Sequence, residues 1–446
     1  MVRTMVTRIV KSALFAAPLM LAPALSGVVL QDTVFAKHVS AGTAFAQEEQ
    51  KPKHKTRKTP ALRENVYKKL AEVQVFTDAG DWNGALKELN EIKSESSKWN
   101  GYELAQLYNY YGFVYYSLER YNDSLNAYER VIANPDDIPE GLETATLFTM
   151  AQLYFIQENY RKAIDLLTRW MNLSPIVGAD AYVLRGQAHY SLNEFDKALP
   201  DINWAVNDYE GKGKIPKENW FALQRAIYYE KGDNKMVIKI LEKLVRHYPK
   251  TSYWRQLSGM YGTVGREKDQ LHSLEAAYMM NAVKNEKELL NLAYLFLGEE
   301  APYKAAKIID KGIKDKNIEP TSKNLEVLSQ AWRMAQEIKK SLPEMEKAAA
   351  KSDNGDLYAR LAGLYLDNDM LDKAIDAGKV ALKRGGVKRA DSLHIVMGMA
   401  YVTKKQYDSG ISSFKEAAKD KRSVKFANQW IQFAEAEKHR EQQLKL

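Results

Sequence analysis

The chain has 446 residues, 45% hydrophobic and 27% charged, with a formal net charge of +8 and no cysteine. The missing thiol excludes disulfides, thiolate zinc sites, a cysteine nucleophile and a lipid anchor on an N-terminal cysteine. Length alone suggests about three domains, and a modest positive charge that is not gathered with aromatics argues against nucleic acid as a partner.

Arg3, Arg8 and Lys11 precede an uncharged stretch from Ser12 to Leu30, and Ala44-Phe45-Ala46 follows before Gln47. A positive start, an apolar middle and a small-residue cleavage motif predict a signal peptide over residues 1–46. Val34-Phe35-Ala36 offers an alternative cut after residue 36, and an uncleaved membrane anchor is the rival reading. Pro18 and Pro23 argue against a stable spanning helix. The expected location is the periplasm, or the periplasmic face of the inner membrane if the anchor is kept. Loss of residues 1–46, with four basic residues and one acidic, removes +3 and leaves about +5 on the mature chain.

Residues 47–63 read as a basic flexible linker. From Lys51 onward they carry Lys51, Lys53, Lys55, Arg57, Lys58 and Arg63 without an acid, together with Pro52 and Pro60. A solvated tether and a contact with anionic surfaces, giving peripheral membrane association, are both open readings.

From residue 64 to 422 a pattern of small and aromatic residues returns roughly every 33 to 39 residues. In its clearest copy Tyr108, Tyr111, Gly112 and Tyr115 fall at positions 4, 7, 8 and 11, and Ser124, Tyr128 and Val131 at 20, 24 and 27. Each set shares one face of a helix of period 3.6. Small residues at 8 and 20 let two such helices lie close. The pattern recurs as Leu147, Ala151 and Tyr154, as Tyr182 and Gly186, as Leu257, Ser258 and Tyr261, as Leu361, Ala362 and Tyr365, and as Met397, Gly398 and Tyr401. Weaker copies begin near Tyr67, Asn219, Leu289 and Leu325, for ten in all. Arg225 stands where a small residue is expected, and Pro302 and Pro343 fall in or near the expected hairpin bends. No strand-like alternation stands out, so the predicted class is all-α. Residues 423–446, with Phe426, Trp430 and Phe433 ahead of a polar tail, predict a capping helix.

This pattern resembles the tetratricopeptide repeat. The resemblance implies a right-handed α-solenoid of about ten helical hairpins that binds rather than catalyses. It further implies an inner wall made by positions 2, 5, 9 and 12 of each first helix. Carried onto this sequence, those positions supply Asn109, Phe113 and Tyr116; Phe148, Gln152 and Phe155; Val183, Gln187 and Tyr190; and Tyr229. Such a ladder of aromatics flanked by amides suits an extended peptide, although an aromatic at position 12 is also explained by ordinary packing. In later copies position 12 becomes Gly262, Leu297, Arg333, Leu366 and Val402, so a single groove belongs to the N-terminal half.

The sequence offers little chemistry. None of the seven histidines has His-Glu-x-x-His spacing, and His189, at position 11, reads as a core-edge residue with a satisfied hydrogen bond. Gly211-Lys212-Gly213-Lys214 lacks the remainder of a phosphate loop, and Asp367-Asn368-Asp369 offers too few oxygens for Ca²⁺. No catalytic residue, cofactor or metal site is assigned. An enzyme assembled from scattered residues stays as the rival class.

Taken as a whole, with its signal, Lys/Pro-rich linker and tyrosine-rich repeats, the chain resembles exported repeat proteins of Ton energy-transducing systems. That resemblance implies a non-enzymatic periplasmic adaptor with envelope partners: TonB, ExbB, ExbD or an outer-membrane receptor. The alternative is a scaffold in envelope biogenesis, such as polysaccharide export or outer-membrane protein assembly.

Overall fold

The computed structural model describes Arg57 and residues 61–444. The expected signal peptide, its cleavage sites and most of the basic linker lie outside these residues. Among the described residues there are 21 α-helices and no strands, and none of the helices is long and apolar enough to cross a membrane.

The chain divides into two compact units, one ending at Tyr248 and the other beginning at Pro249. The first contains α1 (Glu64–Asp78), α2 (Trp82–Ser94), α3 (Gly101–Ser117), α4 (Tyr121–Val131), α5 (Glu140–Ile156), α6 (Tyr160–Leu173), α7 (Ala179–Ser191), α8 (Phe195–Gly211), α9 (Glu218–Glu230) and α10 (Asn234–His247). The second contains α11 (Thr251–Thr263), α12 (Glu267–Met279), α13 (Glu286–Gly298), α14 (Pro302–Lys314), α15 (Ser322–Met334), α16 (Ile338–Ala350), α17 (Asp356–Asp367), α18 (Leu371–Arg384), α19 (Ala390–Thr403), α20 (Tyr407–Ala417) and α21 (Val424–Gln443). Consecutive helices pair into antiparallel hairpins, five in each unit, and α21 packs on α20. The ten copies expected from the sequence are thus ten hairpins. The boundary between the two units falls at residues 248 and 249, within the run of repeats expected from the sequence. Tyr248 leaves helical geometry there (φ −135°, ψ 69°), and Pro249 has no N–H to extend the α10 hydrogen-bond ladder.

One bend joins the two helices of every hairpin. Three residues separate the helices, and the middle one is left-handed, with φ between 55° and 73°. The residue after it donates its N–H back to the carbonyl of position 11, as Arg120 does to Tyr115 at 2.8 Å and Met370 to Tyr365 at 2.9 Å. This is the helix-terminating hydrogen bond that a left-handed residue makes geometrically accessible. The accepting residue is Phe76, Tyr115, Tyr154, His189, Tyr228, Tyr261, Phe296, Trp332, Tyr365 or Tyr401 in turn. Glycine takes the left-handed place at Gly80, Gly232 and Gly265, while the other seven bends use residues such as Glu119 and Lys405. A side chain in that region costs about 1–2 kcal/mol, partly offset by the chain entropy that glycine loses on folding. Glu119→Gly is therefore expected to raise stability by about 0.5 kcal/mol, and Gly232→Ala to lower it by about 1 kcal/mol. Urea denaturation checks both; a Gly232→Ala protein as stable as the parent would show that these bends carry no strain.

Within a hairpin the small residues let the backbones meet. Ser124 Oγ donates to the Gly112 carbonyl at 2.7 Å, and a Cβ added at Gly112 would lie 2.5 Å from the Tyr128 ring. Ser329 and Ser341 repeat the contact, with Ser341 Oγ donating to the Ser329 carbonyl at 2.8 Å. Between hairpins, tyrosine hydroxyls reach polar groups on the preceding helix. Tyr111 donates to Asn90 at 2.8 Å and Tyr154 to Glu129 at 3.1 Å, while Tyr228 accepts from Asn203 at 3.3 Å.

The sequence departures resolve individually. Pro302 is the first residue of α14, where its missing N–H and fixed φ suit a helix start. Pro343 lies inside α16 rather than at a bend, and so does Pro200 in α8. Both are on the solvent side, where the carbonyl each leaves without a donor is open to hydration. Arg225 occupies the small-residue place on α9, and α9 still pairs with α10.

The last helix covers the end of the second unit. Ala427 and Ala434 are buried, and Trp430 stacks on Phe414 at 5.6 Å. A buried carboxylate fixes where α21 begins. Asp391 is 5% exposed, takes two hydrogen bonds from Arg389 at 2.8 and 3.0 Å, and accepts from Ser423 Oγ at 2.7 Å.

Candidate functional site

The ten residues proposed for a peptide groove all lie in the first unit, on α3, α5, α7 and α9. Their surroundings differ sharply. Asn109, Phe155 and Val183 are buried and offer a partner almost no surface. Phe113 meets Trp82 edge-on at 5.7 Å, and Phe148 lies 5.0 Å from Trp170. Gln152 and Gln187 are half-buried.

Position 12 shows a rule that its spacing alone did not reveal. Tyr116 packs on Tyr121 at 6.0 Å, Phe155 on Tyr160 at 5.2 Å, and Tyr190 on Phe195 at 5.6 Å. In each case the partner is the first residue of the second helix of the same hairpin. These aromatics therefore brace the hairpin, whatever else they contact. Burial pushes the Tyr116 phenol upward, with Tyr121 adding to it, so the ring enters any interface as a neutral group. In the fifth hairpin the bracing residue is replaced by Asn234, and Tyr229 stands 54% exposed. It is the most open of the ten.

His189 is buried, with Nδ1 2.7 Å from Glu194 Oε2. That contact and Arg161 at 2.6 Å hold the Glu194 carboxyl down at about 2. The cluster is a fixed ion-paired joint between the third and fourth hairpins. A carboxylate held so far down is not a general acid at neutral pH.

A cleft of about 600 Å³ lies between α12 and α14 in the second unit, floored by Tyr278, Met279, Phe296 and Tyr303. Three of its four lysines are ion-paired: Lys304 with Glu275 at 3.0 Å, Lys311 with Asp315 at 2.6 Å and Lys314 with Asp310 at 2.7 Å. The hydrogen bonds that Lys311 and Lys314 donate to Asp315 and Asp310 shift both amines upward. A nucleophilic amine needs the opposite shift. Among the described residues, no group of three or more His, Asp or Glu side chains is arranged to hold a metal ion.

Sequence reasoning missed the buried acids that begin first helices: Glu103 on α3, Glu143 on α5 and Asp391 on α19. One signal was present. Asn100 three residues before Glu103 forms a reciprocal capping box, with the Asn100 side chain accepting from the Glu103 N–H and the Glu103 side chain accepting from the Asn100 N–H. The arginines that meet these acids have no sequence signature.

No protein-family model matches the chain, and no curated protein matches it. Among solved structures, MamA is 19% identical and aligns over 39% of this chain and 92% of its own, with a TM-score of 0.33. A tetratricopeptide repeat protein from Parabacteroides merdae ATCC 43184 is 14% identical over 58% of this chain and 98% of its own, with a TM-score of 0.31. The APC/C hetero-tetramer Cut9–Hcn1 is 14% identical over 84% of this chain and 84% of its own, with a TM-score of 0.28.

Proposed function

We propose that this chain is a non-enzymatic protein–protein interaction scaffold of the periplasm, acting as an accessory adaptor of a TonB-dependent energy-transducing uptake system. The observation that carries the binding reading is Tyr229, a large aromatic 54% exposed at the register where neighbouring hairpins tie theirs down. Aromatic anchors of this kind supply large contact area at low entropic cost, and they dominate interfaces when a partner covers them. On other first helices of the same unit, Tyr190 and Gln187 on α7 and Tyr116 on α3 are partly open as well. The Ton assignment rests on the overall resemblance of the sequence, and its partners would be TonB, ExbB, ExbD or an outer-membrane receptor.

Affinity purification of the tagged protein from cross-linked envelopes tests the assignment. Recovery of Ton components supports it. Recovery of a polysaccharide-export or outer-membrane assembly complex in their place would replace it with the biogenesis reading. For the partner recovered, Tyr229→Ala is expected to weaken binding at least tenfold, or about 1.4 kcal/mol. The double variant Tyr116→Ala, Tyr190→Ala should weaken it too, provided circular dichroism shows both hairpins intact. Unchanged affinity in both proteins would remove the groove.

A further inference from the structure

Glu103 and Glu143 are 0% and 1% exposed. Carboxylates so deeply placed must be ion-paired or densely hydrogen-bonded. Both are met by arginines of the segment that precedes α1. Arg63 donates from Nε to Glu103 Oε1 at 2.7 Å and from Nη2 to Glu103 Oε2 at 2.5 Å, and Nη2 also reaches the Lys98 carbonyl at 3.0 Å. Arg57 donates from Nη1 to Glu143 Oε2 at 2.6 Å and to the Pro135 carbonyl at 2.7 Å. The other oxygen of Glu143 is taken by Arg169, from α6.

We infer that Glu103 and Glu143, with the carbonyls of Lys98 and Pro135, form a guanidinium-binding edge whose resident ligand is the chain's own arginine pair, Arg57 and Arg63. The ligand class follows from the acceptors. Each carboxylate sits beside a backbone carbonyl, so one planar fork with several donors satisfies both, while an ammonium is a single point of charge. The two acids open first helices in consecutive hairpins, so the arginines fasten the segment to the second and third hairpins at once. Arg57 is then a docked residue rather than part of a free tether. Two of the six cations read from the linker are also withdrawn from any anionic surface.

Limited trypsin digestion of the full mature chain, followed by mass spectrometry, reads this directly, because trypsin cuts after Arg57 and after Arg63 only when each is released. Glu143→Gln is expected to speed cleavage after Arg57 at least tenfold and leave cleavage after Arg63 unchanged. Glu103→Gln should do the reverse. If Glu103→Gln loses helical circular dichroism, Arg63→Lys replaces it, since lysine keeps the charge and the trypsin site but not the fork. Equal cleavage after residue 57 in the parent and in Glu143→Gln would overturn the inference. So would an Arg57→Lys protein cut no faster than the parent. Neither outcome depends on whether the groove residues bind a partner.

Discussion

Gly112→Val is expected to lower the unfolding free energy of the first unit by about 3 kcal/mol, at the upper end of the usual range for overpacking. The added Cβ would meet the Tyr128 ring at 2.5 Å, closer than real Cβ contacts allow. Tyr128 has little room to yield, being buried in the cluster that holds Leu125, Val131, Met150 and Ala151. The Ser124 hydroxyl, held by the Gly112 carbonyl, fixes the approach of the two helices from the other side. Urea denaturation followed by tyrosine fluorescence measures the loss. The same substitution at Gly141, where an added Cβ meets nothing within 4 Å, should stay within about 0.5 kcal/mol of the parent. If the two variants are equally stable, close helix approach at position 8 is not what the glycine provides.

Asp391→Ala is the second large effect. It removes a carboxylate that three groups share: Arg389, Ser423 Oγ at 2.7 Å and Arg422 at 3.6 Å. The buried Ser423 hydroxyl loses its acceptor at the point where α21 begins. A loss of about 2 kcal/mol is expected at neutral pH, within the range for a stranded buried hydroxyl and a broken charged hydrogen bond. Its pH dependence has a definite sign. The Arg389 guanidinium, then Ser423, hold the Asp391 carboxyl well below the usual carboxylate range. The folded state therefore gains stability from its ionisation above the unfolded value of about 4, and that gain fades as pH falls below it. The difference between parent and variant should accordingly shrink on acidification from pH 7 towards pH 3. A difference that stays constant over that range would show that the carboxylate is not held in its ionised form by these partners.

Much of the fold was legible because its cause is local and periodic. An aromatic at position 11 and small residues at 8 and 20 recur in the sequence, and they specify where two helices bend and touch. Trp332 and Tyr401 are read as easily as Tyr115. What was not legible depends on groups that come together only after the hairpins stack. Arg63 and Glu103 are 40 residues apart, and Arg57 and Glu143 are 86 apart. No periodicity connects them, so nothing in the sequence paired either arginine with its acid. The left-handed bends were obscured for a different reason. Seven of the ten lack the glycine that would announce them, because the hydrogen bond back to the position-11 carbonyl holds the backbone there regardless of side chain. Pro343 looked like a bend residue because interior prolines normally end helices, yet a solvent-facing proline costs less when water can serve the freed carbonyl. At the candidate site, register placed the ten residues on first helices but could not tell Phe155, which is buried, from Tyr229, which is open. That difference comes from residue 234, which is asparagine where the corresponding hairpins have tyrosine or phenylalanine.

The buried acids have a mechanical consequence. A row of hairpins in which each grips only its neighbours unravels most readily from its ends. In the first unit, Glu103 and Glu143 secure the leading segment; in the second, Asp391 secures the trailing helix. Pulling on either terminus must first break a charge-assisted contact before any hairpin opens. Under load, the first unit should therefore resist to a threshold before its hairpins yield one at a time, while the second can shed α21 as far as Ser423 before its threshold is met.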